Sequence, residues 1–132
     1  MTDQSENIIG DNPFWEHIGL HEVELRVGKS VLELPIIHEI TQSRKIVHGG
    51  VIATLVDAAV GAALRSNVPK GQGGVTIDLK VNYLRLAVGE KLIAKGRIVR
   101  QGNSVVVGEA VIENELDTEI AISIATYMMK DR

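Results

Sequence analysis

Over residues 47–64, VHGGVIATLVDAAVGAAL, apolar side chains recur at Ile52, Leu55, Val56, Ala59 and Ala63. That spacing of three or four, with abundant Ala and no Pro, predicts an α-helix. The other faces are nearly as apolar, and only Gly50, Thr54, Asp57 and Gly61 line up as a thin stripe of small or polar residues. A helix apolar almost all round is buried on most sides. A membrane span needs about 20 apolar residues and avoids a central carboxylate. The run is shorter and carries Asp57 at its centre, so it reads as a core helix holding one acid.

Around this helix the period changes from helical to alternating. Asn12-Pro13 before Phe14, Trp15, His17 and Ile18 predicts a short helix, with Asn12 as cap, Pro13 in the first position and Gly19 as stop. Val23, Leu25 and Val27 alternate with Glu22, Glu24 and Arg26, then Gly28-Lys29-Ser30 turns the chain into the apolar run at 31–34 before Pro35. That pattern is a β-hairpin. Residues 36–47 lose periodicity, carry the polar run Thr41-Gln42-Ser43-Arg44-Lys45 and deliver the chain to the helix start, as a functional loop would.

A Pro- and Gly-rich connection at 69–74 follows the helix, and then four strand-like runs at 75–86, 92–100, 104–112 and 119–129. The first sets Val75, Ile77, Leu79, Val81 and Tyr83 against Thr76, Asp78, Lys80 and Asn82. Gly89, Gly102 with Asn103, and 114–117 mark joints short enough for antiparallel hairpins. Hairpin, long helix and four-strand meander make an α+β chain: an antiparallel sheet with one face to bury, curled around a helix that must be buried.

Composition narrows the classes. With 132 residues, 45% of them hydrophobic, the chain suits one domain over 1–132, with the polar, acidic stretch 1–11 as a tail. That tail lacks the basic and apolar regions of a signal peptide, so a cytoplasmic protein is expected. Fourteen basic against 17 acidic residues give no basic excess for nucleic acid. There is no Cys, and His17, His21, His38 and His48 are scattered, so no metal ligand cluster is expected.

Two features could carry chemistry. Asp57 on a buried helix costs several kcal/mol if ionised and unpaired. It is explained equally by a Lys, His or amide partner and by catalysis. His48-Gly49-Gly50 stands at the helix entrance, where the first amide N–H groups lack internal partners and face outward at the positive end of the dipole. An oxyanion would be stabilised there. Alone, the motif is better explained by a tight loop with His48 capping the turn. Gly49 and Asp57 are eight residues apart, roughly 12 Å along a helix. One small group cannot touch both, so a shared reaction needs a two-fold that sets Asp57 of one copy opposite Gly49 of another.

The string HGGVIATLVDAAVG, followed by VTIDLKVNYLR and GEKLIAKGRIVRQGNSVVVGEAVI, resembles the hotdog-fold acyl-CoA thioesterases of the phenylacetate-degradation (PaaI-type) group. The resemblance runs from about Phe14 to Met129. It implies a hotdog fold, an antiparallel sheet wrapped around one long central helix, and hydrolysis of an acyl-CoA in a homodimer or a homotetramer of two dimers, with no cofactor. By resemblance Gly49 N–H polarises the thioester carbonyl, and Asp57 acts from the other subunit as nucleophile or general base. His48 supports the loop and the leaving thiolate, and Thr76 matches a hydroxyl that orients water. Gln42 stands where many members have Asn, and Leu86 where Pro often follows the YLR. Gly50 and Thr54 lie beside the substrate, while Arg85 is a candidate partner for coenzyme A phosphate, as is Asn103, at a position where a basic residue is common. A hotdog enoyl-CoA hydratase or dehydratase and a non-catalytic acyl-CoA-binding protein are the alternatives.

Overall fold

The computed structural model describes residues 12–131; the tail expected over 1–11 lies outside the described residues. Helix α1 spans Pro13–Ile18, with Asn12 Oδ1 accepting from Trp15 N–H and Gly19 closing the C-terminus in the left-handed region. Strands β1 (His21–Arg26) and β2 (Lys29–Pro35) form the hairpin. A single 3-10 turn at His38–Ile40 precedes the central helix α2, Gly49–Arg65. Strands β3 (Gln72–Tyr83), β4 (Lys91–Gln101), β5 (Val105–Asn114) and β6 (Glu119–Asp131) complete the chain.

Helix α2 lies against one face of a six-stranded antiparallel sheet, and its Ile52, Leu55, Val56, Ala59, Val60 and Leu64 are almost fully buried against Leu32, Leu34, Leu92, Val106 and Ile112. Strands β4 and β5 approach so closely that only glycine fits beneath the helix. A Cβ on Gly96 would stand 2.5 Å from the Ala59 carbonyl oxygen, and one on Gly108 2.5 Å from Val60 Cγ1. The stripe foreseen along the helix is its open side: Gly50 is exposed and Thr54, Asp57 and Gly61 are half-buried.

The strand order is β1-β2-β4-β5-β6-β3, which corrects the four-strand meander. Of the four strands after α2, only β4, β5 and β6 are neighbours in chain order. Helix α2, about 25 Å long at 1.5 Å per residue, carries the chain across the sheet, so β3 forms the far edge beside β6. Residues 84–90 then cross back to set β4 beside β2.

Two bulges also shift the expected faces. In β3 the register slips between Thr76 and Asp78, so Thr76 and Val81 both lie opposite helix-side residues of β6, Tyr127 and Ser123, while Val75 pairs with exposed Met128. The single apolar face expected from Val75 to Tyr83 is thus divided between the two sides of the sheet. In β1 a slip between Glu22 and Glu24 leaves Val23 exposed and turns Glu22 inward, and the hairpin turns at Val27-Gly28, one position before the expected site. Strand β3 starts three residues earlier than its pattern, because Gly73 and Gly74 already pair with Lys130 and Met129, and ends three earlier, where the Leu84 and Arg85 amides both turn to the Ile120 carbonyl. No helix among the described residues is long and apolar enough to cross a membrane.

Candidate active site

The loop before α2 folds on itself. Thr41 and Val47 form an isolated antiparallel bridge, Gln42 N–H donates to the Ile46 carbonyl at 2.8 Å, and Gln42 Oε1 accepts from the Arg44 amide. Gln42 therefore closes its own turn with its side-chain oxygen. His48 N–H donates to the Ile40 carbonyl at 2.9 Å, which ties the loop to the 3-10 turn.

His48 caps α2: its Nδ1 accepts from Gly50 N–H at 2.8 Å. An Nδ1 used as acceptor leaves the proton of the neutral ring on Nε2, on an exposed side chain. Tyr83 Oη donates to the Gly49 carbonyl at 2.7 Å and Thr54 Oγ1 to the Gly50 carbonyl at 3.0 Å. With Gly50 N–H capped, the Gly49 N–H has no partner among the described residues and stands at the positive end of the helix.

Two turns further along the same open side, Asp57 is held by hydroxyls rather than by the Lys, His or amide that would have explained it structurally. Thr76 Oγ1 donates to Asp57 Oδ1 at 2.6 Å. Tyr127 Oη lies 2.6 Å from the same Oδ1 and 2.6 Å from the Asp57 backbone oxygen. Oδ2 has no hydrogen bond among the described residues. Burial, then the hydrogen bond to Asp57, pushes the Tyr127 phenol well above its ordinary value of 10.0, so it remains an O–H donor. Sequence reasoning placed Thr76 here and missed Tyr127. The signal was present: Ala121, Ser123, Ala125 and Tyr127 alternate on the buried side of β6, and a buried tyrosine needs a partner for its hydroxyl.

A cleft of about 450 Å³ opens at Asp57 and runs along α2 past Ala58, Gly61 and Ala62 to Arg65, with Trp15 and Tyr127 among its walls. At its far end Arg65 Nη2 meets Glu22 Oε1 at 2.5 Å, an ion pair in which the Glu22 side chain is only 4% exposed.

The remaining expected residues are not gathered in one chain. Gly49 and Asp57 stay about 12 Å apart along the helix axis. Arg85, exposed just beyond β3, donates from Nη1 to the Glu119 carbonyl at 2.8 Å, near the N-terminal end of α2, where Val47 N–H meets the Ala87 carbonyl. Asn103 lies in the β4–β5 turn at the opposite end, where Asn67, just past α2, bonds Gln101. Among the described residues, no group of three or more His, Cys, Asp or Glu is placed to hold a metal ion.

Comparison with known proteins adds a family to this geometry. The thioesterase superfamily profile matches residues 45–121, from the loop before α2 into β6. Medium/long-chain acyl-CoA thioesterase YigI of Escherichia coli is 36% identical over 100 residues, a match that covers 66% of this chain and 64% of that protein. This chain therefore spans slightly less than two thirds of that relative. A thioesterase family protein from Silicibacter pomeroyi superposes with a TM-score of 0.89 at 26% identity, covering 94% of this chain and 93% of its own. A Bacillus halodurans protein solved with CoA gives a TM-score of 0.74 at 30% identity, covering 76% of this chain and 66% of its own.

Proposed function

The chain belongs to the thioesterase superfamily, and from that premise we propose that it is a single hotdog domain that hydrolyses an acyl- or aryl-acyl-CoA to the free acid and coenzyme A. The observation that carries the reading is that α2 holds, about 12 Å apart along its axis, a Gly49 N–H and an Asp57 Oδ2 that both lack a hydrogen bond among the described residues.

In this reading the thioester carbonyl oxygen meets Gly49 N–H, which stabilises the oxyanion as the tetrahedral intermediate forms. On one route Asp57 Oδ2 takes a proton from water as the water oxygen bonds to the carbonyl carbon, and as the C–S bond then breaks the sulfur takes that proton and leaves as the thiol. On the other, Asp57 Oδ2 attacks the carbon, the C–S bond breaks to leave an acyl-aspartyl anhydride and a thiolate, and water hydrolyses the anhydride, freeing the acid and Asp57 and supplying the proton that the thiolate takes up. The exposed His48 Nε2–H stands on the leaving sulfur's side. Gln42 supports the loop behind the carbonyl, and Thr76 holds the carboxylate. Gly50 and Thr54 line the stripe beside the thioester; Arg85 of one chain and Asn103 of the other, which lie at opposite ends of α2 within a chain, would face one nucleotide across the two-fold. The acyl group enters the cleft between Asp57 and Arg65, whose axial length is about 12 Å by helix rise.

The gap between Gly49 and Asp57 requires two chains. The edge position of β3 supports a two-fold that pairs this strand with its mate and sets the two α2 helices antiparallel. Ile77 and Tyr83 on that edge are each 54% exposed, apolar surface that such a dimer would cover. Exposed Ile122, Ile124 and Met128 on the outer side of β6 support association of two dimers into a tetramer. A cytoplasmic location completes the reading, in keeping with the absence of Cys.

The test is a thiol-release assay over a panel of acyl-CoAs. Release of coenzyme A from at least one aryl or medium-chain thioester is expected. Hydration of an enoyl-CoA without thiol release, or binding of acyl-CoA without turnover, would overturn the proposal in favour of a hydratase or a binding protein.

A further inference from the structure

We propose that Tyr127 is a positioning residue for Asp57, admitted by Gly61, and that with Thr76 it directs hydrogen bonding onto Oδ1 so that Oδ2 alone meets water or substrate. The inference rests on the role given to Asp57 above.

An aspartate side chain on an open helix face has two soft torsions and two equivalent oxygens. Here both donors converge on one oxygen. Thr76 and Tyr127 are directly paired residues of neighbouring strands β3 and β6, so their side chains rise side by side from the sheet towards the helix. Each hydroxyl has one proton. Thr76 gives its proton to Oδ1, and Tyr127, equidistant from Oδ1 and the Asp57 backbone oxygen, lies across the side chain and main chain of the same residue. The phenol's one proton is shared between the two oxygens in a three-centre bond weighted toward the carboxylate, the stronger acceptor. That shared proton holds the phenol oxygen against both the side chain and the main chain of this turn of α2.

Gly61, one turn beyond Asp57, makes this possible. A Cβ there would stand 3.0 Å from Tyr127 Oη, and the phenol would have to retreat from the helix by a few tenths of an ångström. At hydrogen bonds of 2.6 Å such a retreat weakens the contact with Oδ1. The Tyr127 side chain is otherwise buried, so a purely structural account needs only some partner for its hydroxyl, and the Asp57 backbone oxygen would serve. The two accounts differ in what happens to the carboxylate when the hydroxyl is removed.

The experiment compares Tyr127→Phe, Gly61→Ala, Asp57→Asn and the Tyr127→Phe/Asp57→Asn double variant by kcat, KM and thermal unfolding. For Tyr127→Phe a fall in kcat of about tenfold with little change in KM is expected, because the carboxylate loses one of the two donors that orient it. Gly61→Ala, which retains the phenol but pushes it back, should lower kcat in the same way by less. In the Asp57→Asn background, removing the hydroxyl should cost no further activity. An unchanged kcat in Tyr127→Phe beside an inactive Asp57→Asn, or an equal further loss when the hydroxyl is removed from Asp57→Asn, overturns the positioning role alone. An active Asp57→Asn overturns the reading of the site and this role with it.

Discussion

Asp57→Asn separates chemistry from folding because the structure specifies what Asn can keep. Both partners of Oδ1, Thr76 Oγ1 and Tyr127 Oη, act as donors at 2.6 Å, and an Asn carbonyl oxygen accepts from both while its amide takes the place of Oδ2. The reverse orientation would set an NH2 group against two O–H groups, so only one is compatible with the site. Two hydrogen bonds to a charged group, about 1.5–3 kcal/mol each, become two neutral ones of about 0.5–1.5 kcal/mol. The net cost is therefore about 2–3 kcal/mol, reduced because a half-buried carboxylate no longer has to be desolvated. The protein should stay folded. Loss of a general base or nucleophile lowers turnover by about 10² or more, equivalent to about 2.7 kcal/mol of barrier. Thiol release from a saturating acyl-CoA, read beside a thermal unfolding curve, gives both quantities. Turnover within about threefold of the parent in a folded Asp57→Asn variant would remove Asp57 from the reaction.

Mixing and refolding inactive Asp57→Asn chains with inactive Gly49→Pro chains, in which proline removes the amide proton itself, should restore roughly a quarter of parental activity: half the dimers are mixed and each carries one intact site. No recovery in mixed dimers verified by mass would mean that each site draws both groups from one chain. Gly96→Ala forces a Cβ against the Ala59 carbonyl oxygen at 2.5 Å, backbone that cannot turn aside, and should cost about 1–3 kcal/mol in urea unfolding; an unchanged midpoint would contradict the close approach of β4 to α2. Glu115 is held below the usual value of 4.5 by its own amide and by the Glu90 and Lys91 amides, so its ionised form favours the folded state. That stability is present above about pH 4.5 and lost as pH falls through the lowered value, so the difference in Tm between the parent and Glu115→Gln should close on acidification, and a difference independent of pH would refute the linkage.

How much of this was legible depended on how far apart in the chain the interacting residues lie. Helix α2 and its polar stripe were readable because burial and exposure alternate within one element, at a period the sequence displays directly. Asp57 was readable for the same reason: a carboxylate within so apolar a run has to be paired or used. The strands too were visible, but their order was not. The pairing of β3 with β6 and of β2 with β4 is set by where a helix about 25 Å long releases the chain, and local alternation holds no record of that. The bulges at Val23 and Ile77 are one-residue insertions into an otherwise regular pattern, and each reverses the face of what precedes it.

The same distinction accounts for Tyr127. Gly49 and Asp57 could be related from sequence because they share a helix, whose rise converts residue separation into distance. Thr76 and Tyr127 share no element, and only the register of β3 against β6 brings their hydroxyls to one carboxylate oxygen. Along β6 the tyrosine looks like one more inward residue after three small ones, and along α2 Gly61 looks like one more small residue among alanines. Their meaning is joint. The glycine leaves a gap on the helix one turn past the acid, the tyrosine fills it from the sheet, and neither position has a reason for its identity until the other is opposite it.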